Sequence, residues 1–176
     1  MFGWGKKKDD AVVESVCKAI RLPFGILELR LKHFPPTLAQ DPYVIGFVMG
    51  ASIIFAQIET AGQASLELRG RVSLAGLMAA FAPLNFSMPE ASAAMLKVVG
   101  DPEAKRGSYA ADLIIGVTLG MHDRDDEPEI VAAMASVKAM PASIKSMLGG
   151  SPQSLLLTEL QERLFFSPLE AKYTKS

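Results

Sequence analysis

The chain has one cysteine, two histidines, few aromatic residues (7%) and a formal charge of only -1. Each scarcity removes a class of function. A single thiol, Cys17, cannot close an intramolecular disulfide and suits a reducing compartment, so a cytoplasmic setting is expected. His33 and His122 form no HExxH and no pair at helical spacing, and with one cysteine the usual zinc patterns are absent. Eighteen basic residues against nineteen acidic ones create no overall field for a polyanion. No basic helix face interleaved with aromatics is present either, so no nucleic-acid partner is expected.

Nucleophile motifs are missing too. No serine stands in GxSxG, and no glycine loop has the strand–turn–helix setting that cradles phosphate. The sequence therefore identifies no catalytic constellation, no metal site and no cofactor, and leaves enzymatic activity unassigned. His122 opens the densest acidic segment, Asp123 to Glu129, whose spacing does not match a calcium-binding loop. Its simpler reading is a solvated loop in which Asp126 or Glu127 caps a helix entering at Pro128.

What is abundant is apolar residue, 49% of the chain, and nine methionines. The longest uncharged run is Pro42 to Ile58, PYVIGFVMGASIIFAQI, interrupted by a single amide, Gln57. As a helix it would span about 26 Å, near the lower limit for a bilayer's hydrocarbon core. The shortness of the run and its amphipathic neighbours favour a buried central helix over a membrane element. Gly46 and Gly50 share one face of that helix and are expected to pack against a neighbour; Gly116 and Gly120 repeat the spacing.

The remaining pattern is helical throughout, without the alternation or hairpin signals of strands. Val12, Val13, Val16, Cys17 and Ile20 recur on one face, until Pro23 and Gly25 interrupt it. Pro35-Pro36 is a stop, and Asp41-Pro42 a start. Arg69-Gly70-Arg71 reads as a polar break before a stretch ending near Phe81. Ser87 to Glu90 fits a capping box, and the helix it opens stops at Gly100. Asp101-Pro102 and Ser151-Pro152 are further starts, the last helix carrying Leu156, Leu160 and Leu164 on one face. The expected fold is all-α: an irregular orthogonal bundle of about seven helices around the central apolar helix. Expected boundaries are a basic aromatic tail at 1–8, one helical domain at 9–166 and a polar tail at 167–176.

Two features point to partners. Methionine adapts to irregular apolar surfaces, and Ile130, Met134, Val137, Met140 and Met147 fall in one region with Ile144. They are the candidate protein-binding residues, for a partner protein or for self-association. At the other end Phe2, Trp4, Lys6, Lys7 and Lys8 combine aromatics with cations, as an anionic membrane surface requires; Asp9 and Asp10 offset part of that attraction. The opening residues lack the apolar core of a secretory signal, since the lysines are followed at once by two aspartates. The function expected is a non-enzymatic protein-interaction or adaptor module, peripheral to a membrane if the basic terminus is used. The alternative is a small α-helical enzyme or sensor with an apolar pocket between the glycine-bearing helices.

Overall fold

The computed structural model describes residues 4–120, 126–147 and 150–174, all in helices or their connections. By compactness the chain divides into two units, Met1–Ala111 and Asp112–Ser176.

The first unit begins with α1 (Trp4–Leu31), which runs through Pro23 instead of ending there. Proline in a helix interior costs about 3 kcal/mol. Val12, Val16, Ile20, Phe24, Leu27 and Leu31, at steps of three and four, are all buried, and this continuous stripe offsets the penalty. Phe24 meets Phe34 and Phe81 edge to face at 6.3 and 5.7 Å, anchoring the turn just beyond the proline. Lys32, in the left-handed region at φ 66°, follows the end of the helix.

A short 3₁₀ turn (Pro36–Gln40) leads to α2 (Pro42–Glu59). Asp41 caps it, its carboxylate accepting from the Tyr43 N–H at 3.0 Å, and Pro42 occupies the first turn. By length and composition this helix could cross a membrane, yet half of it is buried inside the molecule. Val44 to Val48 and Gly50 to Ser52 are buried in succession, so its wall is covered on all sides over that stretch. This is why it is apolar all round. It ends at Glu59, where the Gly62 N–H reaches back to the Gln57 carbonyl at 2.7 Å and both Ala61 and Gly62 have positive φ.

Helix α3 (Leu66–Ala80) packs against α1 and α2 and passes straight through Arg69-Gly70-Arg71. The expected break is absent because the arginines serve its outer side while Leu68, Val72, Gly76 and Leu77 bury the inner one. Ser65 caps the start, accepting from the Leu68 N–H at 3.1 Å. Arg71 pairs with Asp10 at 2.6 Å and reaches Asp9 at 3.7 Å, tying α3 to the start of α1. Gly76 leaves space for Ser52, a fully buried hydroxyl that finds no hydrogen-bond partner.

Helix α4 (Met88–Lys97) opens with the expected capping box: Glu90 accepts from the Ser87 N–H at 2.7 Å and from its hydroxyl at 2.5 Å. Helix α5 (Pro102–Thr118) starts at Asp101, whose carboxylate accepts from the Glu103 and Ala104 amides. Where α5 crosses α2 the two backbones touch. A Cβ at Gly46 would land on the Ala104 carbonyl, one at Gly107 on the Tyr43 carbonyl, and one at Gly50 within 2.9 Å of Ser108 Cα. The expected packing of Gly46 and Gly50 against a neighbouring helix is thus present, with the further glycine supplied by the neighbour. Gly120 does not extend a helix face, because α5 ends at Thr118 and Gly120 takes φ 70° in the terminating turn.

The second unit holds the end of α5, then α6 (Pro128–Ala139), α7 (Ala142–Met147), α8 (Pro152–Gln161) and α9 (Ser167–Tyr173). Helix α6 enters at Pro128 with Glu127 in the cap position, though the Glu127 side chain makes no capping bond. The residues between α8 and α9, Glu162–Phe166, form a π-helical turn, and the Ser167 N–H donates to the Glu162 carbonyl. The wide turn rephases the chain. Leu155, Leu160, Phe165, Phe166 and Leu169 are the buried set, where the sequence suggested Leu156, Leu160 and Leu164 on one face. Leu169, 2% exposed within a helix, lies in the stretch expected as a polar tail.

The chain is therefore all-helical, with nine α-helical segments among the described residues and the apolar α2 central to the first unit.

Candidate functional site

The second unit contains an apolar cleft of about 570 Å³, within the range of about 300–1,000 Å³ usual for ligand sites. Val117 at the end of α5, Met134 and Val137 on α6, and Leu155 and Leu156 on α8 form its walls. Two cations, Lys138 and Lys145, stand among these residues. Lys145 Nζ donates to the Lys138 carbonyl at 3.2 Å, satisfying an acceptor left open at the end of α6. On the opposite side Gln153 Nε2 donates to the Val117 carbonyl at 2.9 Å, doing the same for α5. The helix ends that frame the cleft are thus held by side chains, and the space between them is left to apolar groups.

Pro141 explains why α6 stops where the cleft needs it. The residue before a proline is pushed out of the helical region, and Met140 is extended at φ -65°, ψ 135°. A new helix, α7, then carries Lys145 back toward Lys138.

Of the residues singled out from the sequence, Met134 and Val137 line this cleft, Met134 being 46% exposed. Ile130 is 1% exposed and packs inside with Ala133, because it lies on the inner side of α6. Met140 is half-buried, and Met147 stands out in solvent at 85% exposure. Val117, Leu155, Leu156, Lys138 and Lys145 were not anticipated as cleft residues. They come from four separate helices, which no local pattern in the sequence connects.

At the other terminus Lys7 and Lys8 are exposed on the first turns of α1. Phe2 and His122 lie outside the described residues, as do Asp123 to Asp125 and the side chains of Trp4 and Lys6.

The glycine-bearing helices border a smaller cleft of about 250 Å³, between α2, α4 and the start of α5, with Met49, Ile53 and Met95 on its wall. The glycines there bring backbones together and so consume the room a ligand would need. A third, of about 180 Å³, lies beside Phe24 and Phe34. Glu59 and His33 line none of the three. Glu59 emerges at the end of α2 and accepts from the Ser15 hydroxyl at 2.7 Å. Cys17 is half-buried, and that burial raises its thiol above the ordinary range, away from the reactive thiolate. Among the described residues no three of His, Cys, Asp and Glu gather closely enough to hold a metal ion.

No protein-family model matches the chain, and no curated protein or solved structure matches it either.

Proposed function

We propose that the protein is a non-enzymatic docking module whose second unit receives an apolar side chain of a partner protein. The observation that carries this reading is the cleft walled by Val117, Met134, Val137, Leu155 and Leu156 with Lys138 and Lys145 beside it. Among the described residues its lining contains no carboxylate, histidine or thiol. Methionine at its edge can follow the contour of an incoming group, and the lysines favour a partner with acidic residues beside its apolar anchor.

A photocrosslinking residue in place of Val137, introduced in the native cell, tests the reading. Discrete protein adducts are expected, and they should vanish when Met134→Asp is added, with the circular-dichroism spectrum and unfolding midpoint nearly unchanged because Met134 is half-exposed. Adducts that survive Met134→Asp would place the contact elsewhere. The volume of the cleft supports a second reading, a small apolar ligand. Native mass spectrometry showing a bound small molecule, together with an absence of protein adducts, would favour it.

A further inference from the structure

Helix α1 is apolar on two opposite sides. Its inner side holds Ile20, Phe24, Leu27 and Leu31, all buried. Its outer side holds Leu22, Ile26 and Leu29, which are 71%, 39% and 81% exposed. At positions i, i+4 and i+7 these three fall within about 60° of one another around the helix. A soluble helix gains nothing by presenting leucines there, and core packing does not account for them, since the core is served from the opposite side.

The charges around this stripe are one-sided. From residue 19 to residue 32 the chain carries Arg21, Arg30 and Lys32 against one carboxylate, Glu28, which is half-buried. Arg21 and Arg30 are exposed and flank the stripe, one at about 100° to one side and the other at about 80° to the other. Lys7 and Lys8 add exposed cations toward the start of the same helix. The aspartates that would oppose them, Asp9 and Asp10, are engaged by Arg71 of α3. Glu14 and Lys18 are paired with each other at 2.7 Å and offset one another.

We infer that the outer side of α1 docks on an anionic membrane surface. Leu22, Ile26 and Leu29 enter the boundary between headgroups and acyl chains, and the exposed Arg21 and Lys32 supply cations for the phosphates. An apolar stripe edged by cations is the arrangement by which a helix lies in the plane of a bilayer, with long basic side chains reaching up to the headgroups. Helix α2 takes no part in this, and neither does the cleft of the second unit, so the inference is independent of the docking function proposed above.

The full chain is tested by co-sedimentation with vesicles of phosphatidylcholine alone and of phosphatidylcholine with phosphatidylserine. Binding is expected to the anionic vesicles and to weaken as salt is raised. Leu22→Gln, Ile26→Gln and Leu29→Gln combined should lower it by about tenfold or more, with an unchanged melting temperature. Arg21→Gln with Lys32→Gln should weaken binding to the anionic vesicles alone. Absence of binding to anionic vesicles would overturn the inference. So would retained binding in the triple glutamine variant, which would move the contact to the residues before α1's stripe. A sharp fall in that variant's melting temperature would mean another segment of the chain covers the stripe. Conversion of a dimer to a monomer in sedimentation velocity, with vesicle binding intact, would make it a self-association face instead.

Discussion

The crossing of α2 with α5 and the cleft of α6 and α8 are built from the same kind of residue and end in opposite states. In the first, Gly46, Gly50 and Gly107 let two backbones touch, and the apolar material around them is consumed. In the second, branched and flexible side chains hold three helices apart around a space of about 570 Å³. Apolar composition alone does not distinguish the two regions. What distinguishes them is side-chain size at the point of closest approach, which decides whether packing closes or leaves a vacancy lined by side chains. The closed crossing fixes the first unit, while the open cleft leaves apolar side chains uncovered.

The largest expected effect comes from forcing the closed region open. Gly46→Ala adds one methyl that falls on the Ala104 carbonyl, with backbone on both sides unable to give way. A loss of about 3 kcal/mol is expected, the upper end of overpacking in a tight core. Urea unfolding of the variant measures it, and an unshifted midpoint would show that α2 and α5 do not meet there.

A glycine outside the crossing sharpens the contrast and reverses the sign. Gly25 lies inside α1, and a Cβ there would meet nothing within 4 Å. Gly25→Ala should therefore raise stability by about 0.5–1 kcal/mol through helix propensity alone. The same urea experiment reads it. Destabilisation would mean that the position is occupied by something that local geometry does not reveal.

These two glycines also mark how far the sequence could be read. Starts of helices were legible because each is a local chemical device: Asp41-Pro42, Ser87 with Glu90, Asp101-Pro102 and Ser151-Pro152 all begin helices where their caps require. The spacing of Gly46 and Gly50 gave a shared face and hence a close contact, but Gly107, the partner glycine, lies too far along the chain for any local pattern to connect them. Pro23 and Arg69-Gly70-Arg71 misled for a common reason. Each is locally unfavourable or polar, and in each case a buried stripe on the other side of the helix carries the chain through. The π-helical turn at Glu162–Phe166 shifts the phase of the last helices, and a constant period of 3.6 cannot anticipate it. The cleft was legible by half. Helical spacing grouped Ile130, Met134 and Val137, but periodicity does not say which way each residue faces, and Ile130 belongs to the interior.

The smallest expected effect lies in the capping box of α4, where the first unit depends on charge and not on packing. Hydrogen bonds from the Ser87 hydroxyl, and then from its backbone amide, hold the Glu90 carboxyl below the ordinary carboxylate range. Folding thus favours the ionised form. Its contribution is complete at pH values above the unfolded carboxylate's range, and it is lost as the pH falls through the lowered folded value. Glu90→Gln keeps an acceptor for the Ser87 N–H and removes the charge, both at the cap and at the positive end of the helix dipole. The difference in melting temperature between the two proteins should accordingly be steady from neutral pH down to the ordinary glutamate range, about pH 4 to 5, and should shrink on further acidification. Glu90 is fully exposed, so solvent and salt screen the interaction and the difference should also diminish in high salt. A difference that grew on acidification would mean that the protonated carboxyl is the form the fold prefers, contrary to the bonds it accepts from Ser87.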